Sequence, residues 1–294
     1  MRFKFIKERA KSGEISTYCR LLKVTQQGYK RWLGSLDKPY KYAEILAAIK
    51  AILSEDIFNK NYGKKRIFER LRNDGWDIGY HTVANILRGN GLIQKKNKPK
   101  GLTKADKLAQ KADNLIKRDF SSEAPNKKVV TDITEFAGID GKVYVSAIYD
   151  CFDNSVLGVS MADNMRKELV IATYEQACGR HDLRDAISHS DRGSQYTSAD
   201  YVAKLAEFGV VQSMNSGGGR CHDNAKCESQ WGRMKVEIGN VVDWKKLKCK
   251  QIKTLIFSYL MDYWNNRRIC SAIGGVPPMV KRTEYYRNLA EIAA

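Results

Sequence analysis

Between residues 129 and 149 the chain carries a pattern that few architectures accommodate. Val129-Val130-Thr131-Asp132-Ile133-Thr134-Glu135-Phe136 is dense in β-branched and aromatic residues and reads as a strand. Ile139-Asp140-Gly141-Lys142 holds the Asp-Gly signature of a tight hairpin turn, and Val143 to Tyr149 reads as the returning strand. Val156 to Met161 supplies a third. The pattern then alternates: Arg166 to Cys178 is helical, Ala186 to Ser190 is a buried strand, Ser198 to Phe208 is helical and Val210 to Met214 is a last strand. Three antiparallel strands followed by alternating helices and strands specify an α/β fold with a mixed sheet.

One residue breaks the apolar logic of the first strand. Asp132 lies mid-strand, where a charge is expensive without a partner or a cation. A second carboxylate, Asp191, directly follows the buried strand ending His189-Ser190, and ligands in α/β sheets gather at such carboxyl ends. A third comes from Cys221-His222-Asp223-Asn224-Ala225-Lys226-Cys227-Glu228-Ser229-Gln230-Trp231, read as the start of a helix after the glycine run Gly217-Gly218-Gly219. Asp223 or Asn224 is a natural N-cap. Glu228 and Lys235 are about two turns apart and project from nearly the same side, with Trp231 between them. Standing alone, Glu228 would be an ordinary solvated helix residue. With Asp132 and Asp191 it completes an all-oxygen set suited to hard cations such as Mg²⁺ or Mn²⁺. Two such ions about 4 Å apart serve in-line phosphoryl displacement, and Lys235 is placed to meet a phosphate oxygen. Among competing carboxylates, Glu135 is an odd number of strand positions from Asp132, Asp150 and Asp153 read as strand-end and turn residues, and Asp223 as a cap.

The net charge of +18 is unevenly placed. Residues 1–128 carry 30 Lys/Arg against 13 Asp/Glu, residues 129–240 carry 11 against 16, and residues 241–294 carry 10 against 4. Basic arms flanking an acidic middle suit a polyanion held by the arms. Residues 14–33 read as two short helices joined near Lys23-Val24, with Thr25 capping the second and Gln26, Gln27, Lys30 and Arg31 facing outward. That is a helix-turn-helix layout. A second helical unit follows: Tyr42 to Leu53, then the basic helix Lys64-Lys65-Arg66-Ile67-Phe68-Glu69-Arg70-Leu71-Arg72, then Thr82 to Arg88. Lys64, Lys65 and Arg66 are candidate phosphate contacts, and Lys95 to Lys117 is a lysine-rich connector. The expected domains are 1–38, 39–96, a linker at 97–127, a core at 128–240 and a basic helical segment at 241–294. No apolar run is long enough to span a membrane, so a cytoplasmic protein is expected. The seven cysteines include no CxxC, and Cys221, His222 and Cys227 match no common zinc spacing.

Thr131-Asp132-Ile133-Thr134, then His189-Ser190-Asp191-Arg192-Gly193-Ser194-Gln195-Tyr196, then Asp223-Asn224-Ala225 with Glu228-Ser229 and Lys235, resemble the Asp-Asp-Glu transposases of bacterial insertion sequences. The resemblance is to the second-frame protein of the IS-three family and covers most of the chain. Tyr62-Gly63-Lys64-Lys65-Arg66-Ile67 resembles that family's upstream helical module, and Tyr263-Trp264-Asn265-Asn266-Arg267-Arg268 with Pro277-Pro278 its C-terminal segment. The chain departs in two places. The Asp191-to-Glu228 interval is one residue longer than usual, and Cys270 stands where the family has a histidine. The resemblance implies a ribonuclease-H-like catalytic core flanked by all-helical DNA-binding modules, with Asp132, Asp191 and Glu228 holding two Mg²⁺ or Mn²⁺ ions. It further implies cleavage at element ends, then attack of the freed 3′-hydroxyl on another strand. Arg192 and Lys235 would lie against the DNA, which binds as element ends and as target. A homo-oligomer on DNA, nucleoid association and a first-frame helix-turn-helix partner also follow, the chain being made alone or within a fusion.

Three rivals compete. His181-Asp182-Leu183-Arg184 with Tyr285 and Tyr286 matches a tyrosine recombinase pattern, but leaves three carboxylate motifs unexplained. A plain nuclease of the same fold would not need DNA-reading arms on both sides. A catalytically inactive DNA-binding regulator derived from a transposase would keep the arms and lose turnover.

Overall fold

The computed structural model describes residues 2–36, 40–93, 113–216 and 224–293. Most of the connector at 95–117, the Gly217–Gly219 loop, Cys221, His222 and the candidate cap Asp223 lie outside the described residues. The chain forms two compact units, the first ending at Ala51 and the second running from Ile52. In the first unit, α1 (Arg2–Arg9), α2 (Ile15–Leu21) and α3 (Gln26–Leu36) enclose a small core of Ile6, Cys19 and Tyr29. The expected turn is present: Lys23 takes φ 52°, and Thr25 Oγ1 accepts from Gly28 N at 3.0 Å, the N-cap bond that starts α3. Gln26, Gln27, Lys30 and Arg31 are exposed. Helix α4 (Ala43–Ser54) contains the division between the units.

In the second unit α5 (Lys64–Asn73) and α6 (Tyr80–Gly89) precede a five-stranded sheet. The strands are β1 (Lys128–Gly138), β2 (Gly141–Asp150), β3 (Val156–Ala162), β4 (Ile187–Ser190) and β5 (Val211–Met214). Their order is β3-β2-β1-β4-β5. The first three are antiparallel, while β4 runs parallel to β1 and β5 parallel to β4. This is the ribonuclease-H-like mixed sheet. The Gly138↔Gly141 pair leaves Ile139-Asp140 as a two-residue hairpin loop, one residue earlier than the expected Asp140-Gly141 turn, with Gly141 already in β2.

Alternation along β1 divides the core in two. Val129 and Ile133 face α7 (Lys167–Cys178) and α9 (Ala199–Glu207), which follows the short α8 (Ser194–Thr197). Val130 and Phe136 face Trp231, Met234 and Ile238 of α10 (Ala225–Gly239), together with Ile252 and Ile256 of α11 (Cys249–Phe257). Helix α11 continues as a π-helix, Ser258–Arg267, and α12 (Pro278–Ala293) closes the chain. Gly158 lets α7 approach β3, since a Cβ there would come within 2.6 Å of Thr173 O.

Two buried charge clusters fasten the flanking segments to this sheet. Near the end of α10, Glu237 accepts from Arg268 Nε and Nη2 at 2.9 and 2.6 Å, from Arg66 Nη2 at 2.8 Å and from Tyr259 OH at 2.7 Å. The guanidiniums overcome the effect of burial and hold its carboxyl down at about 2. Arg66, expected as a phosphate contact, is therefore committed to Glu237, with its side chain 16% exposed. The second cluster shows what holds Asp150, at the end of β2 as expected, and Asp153, in the turn that follows. Both are fully buried and receive Arg282 of α12 at 2.5 and 2.7 Å.

Removing one partner of a buried pair leaves the other charge uncompensated, which costs about 3–5 kcal/mol. Glu237→Ala should therefore lower stability by about that amount in urea unfolding. Because the folded carboxyl is held low, Glu237 contributes fully above its ordinary value near 4.5. That contribution is lost as pH falls toward 2, so parent and variant should converge in acid.

Candidate active site

The paired register of β1 and β4 runs Lys128↔Ile187, Val129↔Ser188, Val130↔His189. Continued by two residues, it sets Asp132 beside Asp191 at the carboxyl end of β4. Asp132 Oδ1 accepts from Ile133 N at 2.8 Å. Asp191 Oδ1 accepts from Gly193 N at 2.9 Å, turning the chain sharply into α8. Glu228 lies in the first turn of α10 and is exposed.

The electrostatics follow from burial and like charge. Burial, then the charge of Asp191 and more weakly that of Glu228, push the Asp132 carboxyl up to about 8; the Ile133 N–H and Lys235 oppose this. Burial raises Asp191 too, against the Gly193 N–H. Lys235 is half-buried with its ammonium 5.3 Å from the centre of the Phe136 ring. Burial lowers its pKa, against Glu135 and Asp132. The structure thus brings Asp132 and Asp191 together, with Glu228 and Lys235 within electrostatic range. Among the described residues, no three His, Cys, Asp or Glu side chains stand close enough together to hold a metal ion. The donor set fits a divalent cation chemically, being all carboxylate, but among the described residues Glu228 does not complete a group of three.

The other candidates are dispersed. Arg192 is buried, with Nε donating to Asn215 O at 2.6 Å, so it braces the ends of β4 and β5 from inside the fold. Lys64 is half-buried and Lys65 is exposed, 3.8 Å from Glu69. Cys227 lies in the apolar core, away from any zinc role. Of the recombinase pattern, Arg184 is taken by Asp182 at 2.6 Å and Tyr285 packs against the Phe152 ring.

Several supporting residues were not legible in the sequence. Leu115 N donates to Ser213 Oγ, whose hydroxyl is left to donate to His189 Nδ1 at 2.8 Å. His189 Nε2 then donates to Asn215 Oδ1 at 3.0 Å, and Asn215 N donates to Ser190 O. This network fixes the strand end that presents Asp191. Asn224, the N-cap of α10, makes no capping bond; its side chain donates to Thr131 O at 3.4 Å, next to Asp132. The polar character of 188–190 and 213–215 was the one available signal for the histidine network.

The integrase core domain family matches residues 122–218, a span that includes Asp132 and Asp191 and ends before Glu228. With the strand order above, this defines the protein as an enzyme of the transposase and integrase class. Its relatives narrow the class. The chain is 30% identical over 268 residues to the InsK transposase of insertion sequence element IS150 from Escherichia coli strain K12, covering 91% of this chain and 93% of that protein. It is 29% identical over 288 residues to the InsF transposase of insertion sequence IS3A from the same strain, covering 95% and 97%. The chain belongs to the IS3-type insertion-sequence transposases. Among solved structures it is similar to the magnesium complex of the HTLV-2 integrase catalytic core domain in its trimeric form. That match has 16% identity and a TM-score of 0.42, covering 55% of this chain and 99% of that one.

A carboxyl raised by burial and like charge favours the folded state while protonated, and that contribution is lost as pH climbs through about 8. Asp132→Asn should therefore melt higher than the parent at pH 9, by roughly 2–6 °C for a gain of about 1–2 kcal/mol. The two should converge near pH 4. Equal melting temperatures at both pH values would contradict the assigned environment.

Proposed function

We propose that this transposase cleaves DNA at its element's ends and joins the freed 3′-hydroxyl to another strand at a site built from Asp132, Asp191 and Glu228. The observation that carries the reading is the register that sets Asp132 beside Asp191, with Asp132 in the field of both Asp191 and Glu228. Those three carboxylates would hold two Mg²⁺ or Mn²⁺ ions, which when bound supply Lewis-acid activation of the attacking oxygen and neutralise the leaving one. In the first step water forms a new P–O bond, the bond from phosphorus to the 3′ oxygen breaks, and that oxygen leaves as a hydroxyl. In the second, that 3′-hydroxyl attacks a phosphodiester in another strand and releases a different 3′ oxygen, so the number of phosphodiester bonds is conserved. Lys235 offers its ammonium to a non-bridging phosphate oxygen beside the carboxylates. The Gly193 and Ile133 N–H groups hold one oxygen of each aspartate, leaving the other free to turn to the reaction centre.

The exposed Lys30 and Arg31 of α3, with Lys64 and Lys65, carry duplex DNA by phosphate contact. Element ends and target require more than one copy of the chain on the DNA, and a first-frame helix-turn-helix protein would add recognition of the ends. These tasks place the protein with bacterial DNA in the cytoplasm.

One observation favours a second reading, an inactive DNA-binding regulator: the described residues gather no three ligating groups at ion-holding distance. Incubating purified protein with a labelled duplex carrying an element end, with and without Mg²⁺, separates the two. The transposase yields nicks and joined products only with Mg²⁺, whereas a regulator shifts the DNA's mobility and leaves it uncut. Asp191→Asn should fall to the Mg²⁺-free level with DNA binding retained. Glu228→Gln should do the same and Asp223→Asn should not; the reverse pattern would give the third carboxylate to Asp223.

A further inference from the structure

Five lysines crowd into nine residues after α10: Lys245, Lys246, Lys248, Lys250 and Lys253. All but the half-buried Lys253 are exposed. Lys246 is 3.5 Å from Asp243, and among the described residues the other four have no carboxylate within 4 Å. A run of this kind can simply keep a surface hydrated. Its attachment argues otherwise.

The lysine turn is fixed to the tip of the β1–β2 hairpin. Leu247 O accepts from Ile139 N at 3.0 Å, and Asp140 Oδ1 accepts from Cys249 N at 2.7 Å. At Gly138 a Cβ would come within 2.8 Å of Leu247 O, so the hairpin and the turn are in backbone contact. From there the packing leads back toward the acidic site. Trp244, just before the lysines, meets the Phe136 ring edge-on at 5.3 Å, and Lys235 lies over that same ring. Phe136 and Asp132 share one face of β1, four residues apart. Lysines therefore stand at both ends of this packing path, Lys235 beside the carboxylates and Lys245–Lys253 at the far end of the strand, with Glu135 and Asp140 along it.

We propose that this lysine turn is a phosphate rail for duplex DNA whose reacting phosphate lies at Asp132. The proposal rests on the catalytic reading above and adds a location. Six residues of β1 separate Asp132 from Gly138, about 20 Å at roughly 3.3 Å per residue. B-form DNA advances about 3.4 Å per base pair, so the turn meets the backbone about six base pairs from the reacting phosphate, on one side only. Lysine suits the task, being a point charge on a flexible stem that grips any phosphate without reading a base.

The test compares the full-length parent with the quadruple variant Lys245→Gln, Lys248→Gln, Lys250→Gln, Lys253→Gln. Binding to end-bearing duplexes is measured across a series of NaCl concentrations. Each lost phosphate contact lowers the slope of log affinity against log salt by about 0.9, so a decrease of about 2–4 is expected. Two further series trim the duplex from each side of the reacting phosphate. The difference between parent and variant should vanish below about six base pairs in one series and persist in the other. The matching four Lys→Arg changes should restore the parental slope, which separates lost charge from a damaged fold. Equal slopes for parent and Gln variant on long duplexes overturn the rail, as does a difference that survives trimming from both sides. Mg²⁺-dependent cleavage by the parent is scored alongside. Failure of the rail leaves that cleavage intact, while failure of the catalytic reading leaves the slope difference without cleavage.

Discussion

Glu237 is the interaction on which the arrangement of the second unit turns. It lies in the last turn of α10, where the helix dipole disfavours a carboxylate, and it is sealed from water. It is tolerable there because Arg66 comes from α5, Tyr259 from the π-helix, and Arg268 from the segment beyond it. Two parts of the chain far apart in sequence, α5 and residues 259–268, converge on one group. Neighbouring bonds reinforce the junction: Asn61 donates to the carbonyl of Glu237 itself, and Tyr263 OH to Asn59 Oδ1. The carboxyl end of α10 is thereby held, while its amino end is tied to β1 through Asn224 and to the end of β2 through Lys226, which donates to Cys151 O. Glu228 projects from the span between those anchors.

The same chemistry, applied unequally, marks the site. Four aspartates lie in or beside the sheet under substantial burial. Asp150 and Asp153 are neutralised by Arg282 and further satisfied by the N–H groups of Asn126, Phe152 and Ser155. Among the described residues, Asp132 and Asp191 each accept one backbone N–H, and the half-buried Lys235 acts on Asp132. A fold that supplied an arginine to one pair could have supplied one to the other. Burial raises both carboxyls of the second pair and like charge raises Asp132 further, which makes this pair the candidate for a functional one. Arg192 illustrates the distinction, since a guanidinium so close in sequence to Asp191 is spent on Asn215 O.

Much of this was readable from residue types alone, for local reasons. The hairpin was legible, to within one residue of its loop, because β-branched alternation and a nearby turn signal are properties of adjacent residues, and the start of α3 because Thr25 is a short-range cap. Helix α1 went unread, its eight residues showing a single buried position, Ile6, among basic neighbours. What stayed hidden was long-range pairing. Arg66 reads as one more base in a basic helix, and only its partner 171 residues away makes it structural. Asp150 reads as a strand end because Arg282 lies 132 residues downstream. Asp132 announces itself by being out of place in the middle of a strand; the neutralised Asp150, at the end of β2, does not.

This bears on where the catalytic unit ends. Composition and motif spacing put a boundary near residue 240, just past the last turn of α10. Yet the groups that make Glu237 tolerable at that turn lie at 66, 259 and 268, and Trp264 adds the face on which Arg268 stacks at 4.3 Å. The underside of the sheet depends on the same segments, since Ile252, Ile256, Tyr259, Leu260, Tyr263 and Trp264 share the core of Val130 and Phe136. Without those segments the sheet loses the cover of one face, and Glu237 loses its guanidiniums at the negative end of the helix that carries Glu228. The segments around Arg66 and at 252–268 are therefore structural supports of the helix that carries Glu228, the third carboxylate of the proposed site.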